Sequence, residues 1–311
     1  MLFIDTHISP SVASLIREKI EEEFQRKDFA YVINTHGHSD HTLGNQVFAD
    51  TVIIGHEKCV EDIKNNQSGP KRIGAMLNAA VIQMKARLEK LDPSSDAAKT
   101  LLKNLLVYEL TLKGLDLGLK LTLPSLSFSD KLSLDLGDLT LNLIYFGYAH
   151  SKGDILIHCP EQGLLMTGDL FSKGNNLYID SDRLSYLPQW IKSLELSVDP
   201  KNKIQKIIPG HFEYLDQDVL AGQLDYVKEK KVEFAGRESA LYALKTVYEN
   251  KGMKSAVAEL QKMNSQPDKC FILHAELDQF GFRLMLKKKL DDALQLFLVL
   301  AELYAIGTYK M

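Results

Sequence analysis

His36, His38, Asp40 and His41 fall within six positions in THGHSDHTLGN (Thr35 to Asn45), directly after an apolar run. With 9 histidines in 311 residues, chance placement of H-x-H-x-D-H occurs in well under ~1% of chains of this composition. Imidazole nitrogens and a carboxylate oxygen gathered on one loop form a borderline-hard donor set that suits zinc, and also iron or manganese. A lone histidine is usually a satisfied core or surface residue; four potential ligands in one turn of chain are not explained that way.

The elements that must position this loop read as an α/β layout. FID (Phe3 to Asp5), YVINTH (Tyr31 to His36) and TVIIG (Thr51 to Gly55) have the apolar runs of buried strands, with VASLIREKIEEEF between the first two at helical spacing. Residues 57–123 are dominated by helix formers and read as a two-helix insertion broken at DPSS (Asp92 to Ser95). Period-two alternation returns in SLSFSDKLSLDLGDLTLNLIYFG, predicting antiparallel strands around Gly137 and Asp138. ILIHCP and GLLMTGDL make a further pair, and KIIPGH (Lys206 to His211) is the last clear strand. From about Leu220 the chain reads helical throughout. Residues 1–220 are therefore expected to form one α/β unit and 221–311 an all-helical extension.

Composition narrows the classes of partner. The chain is 45% hydrophobic and 25% charged, with a formal net charge of −4, so neither nucleic acid nor an anionic membrane finds a basic field on it. No apolar run reaches the ~18 residues of a membrane-spanning helix. Cys59, Cys159 and Cys270 are odd in number and far apart, which gives neither a disulfide framework nor a metal knuckle. These features favour the cytoplasm, with a periplasmic or secreted origin left open.

The THGHSDH segment resembles the hallmark of the metallo-β-lactamase superfamily, T-H-x-H-x-D-H after a strand. The family's later ligands are also present in order: His150 in AHSKGD, Asp169 in MTGDLF and His211 in IPGHF. The resemblance covers about Leu2 to Phe212, with the insertion unmatched, and implies a four-layer αββα sandwich, two packed sheets flanked by helices with metals at one edge. It further implies that His36, His38 and His150 hold one metal, that Asp40, His41 and His211 hold a second, and that Asp169 bridges them. None of the cysteines falls on a motif position, which favours this carboxylate-bridged form with two Zn2+. Two metals ~3.5 to 4 Å apart can hold a hydroxide between them and make a nucleophile at neutral pH. The implied enzyme is a hydrolase of ester-, thioester-, lactone- or lactam-type bonds in a small-molecule substrate, with Asp40 orienting the nucleophile and moving its proton. Relatives carry one or two strands before the segment matching FIDTH, so either a natural start is missing or the first sheet edge is built differently.

Beyond the ligands, Lys173 and Asn176 follow Asp169 in a polar loop. In lactam-hydrolysing relatives a Lys and an Asn from the matching loop grip the substrate, so both are candidate substrate contacts, with Asn175 beside them. Tyr148, Tyr178 and Trp190 are candidate pocket walls, for which core burial is the competing reading. His7 has either a role beside the metals or a structural one; His56, His158, Cys159 and Cys59 read as structural, and His274 lies in the helical tail. The insertion could act as a lid with an apolar lining, or its stripes could only pack helix on helix.

Phe280 to Tyr304 resembles one helix pair of a tetratricopeptide repeat. A lone repeat cannot bury both faces, so it packs on the catalytic unit, continues past Met311, or pairs with another copy or a protein partner. Two other function classes remain. The same ligands could hold iron for persulfide-oxygenase chemistry, although His38 stands where the electron-transferring diiron branch has Glu. Alternatively, the chain could be a non-enzymatic scaffold stabilised by metal and holding a partner through its tail.

Overall fold

The structure is a computed structural model that describes residues 1–65, 69–116, 118–172, 177, 179–211 and 213–305. By contact density it divides into two compact units, Met1–Leu177 with Gln189–Leu224, and Tyr178–Pro188 with Asp225–Met311.

In the first unit the chain begins with strand β1 (Leu2–Ile4) and helix α1 (Pro10–Phe24). Ser9 caps α1 by accepting from the Val12 amide, Pro10 starts it without a wasted donor, and Gln25 ends it in the left-handed conformation. β2 (Tyr31–Ile33), the one-turn helix α2 (Ser39–Thr42), β3 (Val52–His56) and β4 (Leu126–Phe128) complete a four-stranded sheet in the order β1-β2-β3-β4. Every pairing in it is parallel.

Only two residues separate β4 from β5 (Lys131–Asp135), yet β5 opens a second sheet. That sheet runs β5-β6-β7-β8-β9, with β6 at Thr140–Tyr145, β7 at Ile155–Cys159, β8 at Leu164–Gly168 and β9 at Lys206–Pro209. Its pairs are antiparallel except β8 with β9. The alternation expected across residues 125–147 is therefore right in period but wrong in partner for β4, which pairs in parallel with β3.

Strand alternation builds the layers. Ile33 and Ile54 from the first sheet meet Leu141, Leu143, Ile155, Ile157 and Cys159 from the second in the core between the sheets. Val32 and Ile53 point the other way, toward Phe29 and Phe48 and the α1 residue Ile20. On the second sheet Leu156, Leu165 and Ile207 are likewise buried on the outer face, where the crossover helix α6 (Leu187–Val198) joins parallel β8 to β9. These layers form the αββα sandwich, with both faces of the central strands covered.

Among the described residues the insertion contains three helices rather than two: α3 (Glu57–Asn65), α4 (Gly69–Leu88) and α5 (Asp96–Asp116). Ile73 and Leu77 of α4, with Tyr108, Leu112 and Leu115 of α5, pack around Leu43 and Ile8. The insertion is thus anchored on the residues next to His41 and His7.

The second unit is helical: the end of α7 (Gln217–Glu233), α8 (Ala240–Lys251), α9 (Met253–Asn264), α10 (His274–Leu286) and α11 (Leu290–Ala305). A two-residue parallel pair interrupts it, β10 (Glu238–Ser239) with β11 (Cys270–Phe271), which the all-helical reading of this region missed. Its core joins Leu244, Leu260, Leu277, Leu296 and Leu300. Among the described residues no helix is long and apolar enough to cross a membrane.

Ile54 is 0% and Val52 39% exposed on the same strand. Ile54→Ala should lower stability by about 2–5 kcal/mol and Val52→Ala by under about 1 kcal/mol. Urea unfolding followed through Trp190, the single tryptophan, checks this; equal losses would contradict the difference in burial between the two positions.

Candidate metal centre

Strand direction brings the motif residues together. The chain leaves β2 at Ile33 and β8 at Gly168, and leaves β9 at Pro209 beside it, so His36, Asp169 and His211 follow the C-terminal ends of strands. β6 runs antiparallel to β7, which runs antiparallel to β8, so the loop from β6 carrying His150 opens at the same edge. It is tied there by Ile155 N–H donating to the Thr35 carbonyl at 2.9 Å, and its turn is held by Asp154 accepting from the Ser151 amide and hydroxyl at 2.6 and 2.7 Å.

All seven motif residues converge, in two groups that could each hold a metal ion. His36, His38, His150 and Asp169 form one, and Asp40, His41, Asp169 and His211 the other, with donor atoms in each group within 4.8 Å of one another. Asp169 belongs to both. Its Oδ2 lies 3.8 Å from His36 Nε2, 3.5 Å from His150 Nε2 and 3.3 Å from His211 Nε2, while Oδ1 lies 3.4 Å from His41 Nε2. Asp40 Oδ2 faces His211 Nε2 at 3.1 Å and His41 Nε2 at 3.4 Å. His150 Nε2 and His38 Nδ1 are 3.1 Å apart.

A layer of hydrogen bonds behind the ligands sets their orientation. Asp5, at the end of β1, accepts from the Thr35 amide at 2.8 Å and the Thr35 hydroxyl at 2.7 Å, and from His41 Nδ1 at 2.8 Å. Because the Thr35 hydroxyl spends its proton on Asp5, it accepts from His36 Nδ1, 3.1 Å away. Both imidazoles are thereby left with Nε2 facing the cluster. Behind them Asn34, Asn45 and Thr6, all 0% exposed, interlock: each Asn donates to the other's carbonyl oxygen and the Thr6 hydroxyl donates to Asn45. Thr6 N–H donates to the His41 carbonyl at 2.7 Å.

Gly168 and Gly210 are among the points where the backbone approaches too closely for a side chain. A Cβ on Gly210 would stand 2.3 Å from Asp169 Oδ1, and one on Gly168, whose φ is +51°, would stand 2.5 Å from Thr35 Oγ1. Glycine is the residue that lets these strand ends close on the cluster.

Electrostatics show what the cluster lacks. His36 Nε2 is buried and forms no hydrogen bond. With its proton on Nδ1, His36 aims a lone pair at a carboxylate, an arrangement that repels unless a cation lies between. Burial also pushes the His36 imidazolium well down, helped by the charges of His41 and His38. Burial opposes charge on His41, but the Asp5 carboxylate and hydrogen bonds to Asp169, Asp40 and Asp5 outweigh it and raise the group to about 12. Hydrogen bonds to Asp169 and Asp40 raise His211 to about 9. Burial works against the charged forms of Asp40 and Asp169 too, yet their histidine hydrogen bonds hold both well below the usual carboxylate range. The donor set of imidazoles and carboxylates therefore fits a divalent metal.

Other residues singled out in the sequence sort differently. His7, with φ +71°, accepts from the Ser9 amide at 3.0 Å. Burial lowers its pKa, the charge of Asp40 raises it and those of His41 and His211 lower it; it borders the second group without joining it. Tyr148 is half-buried, two positions before His150. Lys173, Asn175, Asn176 and Tyr178 lie outside the described residues. Trp190 is core, 0% exposed, donating to the Leu170 carbonyl at 2.8 Å. His56 is structural, donating to the Ser129 carbonyl at 2.6 Å and stacked on Tyr145. Cys59 is buried, and burial pushes its thiol well up. Sequence reasoning missed Asp5; the only local signal was an acidic residue ending an apolar strand in FIDTH.

The model of the metallo-beta-lactamase superfamily matches residues 4–211, so the chain belongs to that superfamily. A metallo-beta-lactamase type 2 from Bacillus cereus is 25% identical over 96 residues, covering 31% of this chain and 38% of that protein; the chain thus spans well under half of this curated relative. A solved metallo-beta-lactamase from Pontibacter korlensis is 16% identical, with a TM-score of 0.47 over 73% of this chain and 81% of its own. The structure of VMB-1 is 15% identical, with a TM-score of 0.49 over 74% and 80%.

Two predictions follow from the hydrogen bonding and charge. Raised histidines stabilise the metal-free fold below pH 6.5, and the His211 share is lost as pH rises through about 9. Metal added to chelator-treated protein at pH 7.5 should therefore expel about two protons, read by calorimetry in buffers of different ionisation enthalpy. No release would contradict the protonated His41 and His211. Asp5→Asn should weaken metal binding about 10- to 100-fold, measured by competition with a chromophoric chelator while circular dichroism is unchanged.

Proposed function

We propose that the protein is a metal-dependent hydrolase whose two ligand groups hold a pair of zinc ions, and that it cleaves an ester-, thioester-, lactone- or lactam-type bond in a small molecule. The observation that carries this reading is the sharing of Asp169 between both groups, which suits a bridging carboxylate between two ions. When bound, such ions supply Lewis acidity and bring the pKa of water from 15.7 to about 7.

The chain's own groups have distinct parts. His36, His38 and His150 serve one ion, Asp40, His41 and His211 the other, with Asp169 between. Asp40 is the most open acid of the cluster, its side chain 39% exposed against 12% for Asp169. It can therefore meet substrate and solvent, hold the attacking water by one oxygen and pass its proton to the leaving group. Asp5 and Thr35 keep the His41 and His36 rings aimed, so little reorganisation accompanies the reaction. Tyr148 is proposed as part of the substrate pocket, together with Lys173 and Asn176. The net charge of −4 supports a small molecule over nucleic acid as substrate.

Elemental analysis of protein purified without chelator or added metal should find about two zinc per chain, and one iron per chain would overturn the hydrolase reading in favour of sulfur and oxygen chemistry. In a panel of ester, thioester, lactone and lactam substrates, Asp40→Ala should lower kcat by about 10²- to 10⁴-fold, and His150→Ala should abolish turnover with loss of metal. Undiminished hydrolysis by either variant would sink the assignment.

A further inference from the structure

Helix α11 is apolar on two opposite faces. Ala293, Leu296, Leu300 and Leu303 enter the core of the helical unit, while Leu290, Leu294 and Leu298 are 61%, 58% and 58% exposed. The exposed leucines recur every four residues and so form one stripe. Phe282, Met285 and Leu286 of α10 are also exposed, Leu286 by 85%. The Phe282 ring lies 5.4 Å from that of Phe297, and a Cβ on Gly281 would come within 2.5 Å of the same ring. The two helices thus present one continuous apolar surface. Six such side chains amount to roughly 600 Å² before any rim is counted, against the about 800 Å² per partner of a standard interface and at the upper end of patches that monomers leave uncovered.

We propose that this face pairs with the same face of a second copy of the chain, α11 against α11 in a twofold antiparallel arrangement. The stripe is symmetric about Leu294, so in that register Leu290 of one copy meets Leu298 of the other. Charge agrees with it. Lys287 and Lys288 precede the stripe and Glu302 follows it; all three are exposed, and none forms an ion pair among the described residues. Antiparallel pairing brings the lysines of one copy alongside Glu302 of the other, twice by symmetry, whereas parallel pairing would set lysine against lysine. The inference is independent of the metal centre.

Sedimentation equilibrium of the full chain up to about 100 µM should give about twice 35.0 kDa. Leu294→Glu should give a monomer with an unchanged circular dichroism spectrum. Lys288→Glu should weaken the dimer roughly fivefold, and combining it with Glu302→Lys in the same chain should restore it. A monomeric wild-type chain, a dimer indifferent to Leu294→Glu, or a charge swap that fails to restore association would each overturn the proposal.

Discussion

The Asp169 carboxylate, with four imidazoles directed at it and a side chain only 12% exposed, is the constraint around which the first unit is organised. A buried carboxylate facing the lone pair of His36 is unfavourable in a medium of low polarisability. Charge has to be imported as metal or as protons on His41 and His211. A site of this kind costs stability, so the surrounding fold must be rigid enough to hold it in that state.

Rigidity comes from three sources. Strand ends deliver the ligands: residues following β2, β8 and β9 emerge at one edge, and the β6–β7 loop opens beside them. Asp5 links β1 to the motif by three hydrogen bonds, setting the rotation of His41 directly and of His36 through Thr35. The buried Asn34–Asn45–Thr6 network and the close packing at Gly168 and Gly210 then leave the loops few alternatives. The insertion adds to this by packing on Leu43 and Ile8, next to the ligands, which places it where it can influence access.

Local patterns were legible wherever their information is local. The H-x-H-x-D-H run points to a metal site because its residues are close neighbours in the chain, and period-two alternation identifies β5 and β6 because strand geometry imposes that period. The same logic explains the misses. β4 alternates like its successors, yet alternation does not say which sheet a strand joins; pairing with β3 is decided by Ile54 and Gly55, more than 70 positions earlier. Helix formers run through residues 57–88 almost without interruption, so the division into α3 and α4 leaves little mark on composition. The two-residue strands β10 and β11 are too short to carry any period.

The amino-acid sequence on its own pointed to the superfamily, to the seven candidate metal-binding residues and to the alternation of strand and helix, because those depend on residue type and short-range spacing. The tertiary structure alone decided that Asp169 is common to both ligand groups, that Asp5 governs the orientation of His41, that Gly210 must be glycine, and that α11 keeps a second apolar face outward. Each of these depends on which distant segments come within a few ångströms of one another, and that follows from strand register and layer packing, which composition and periodicity do not encode.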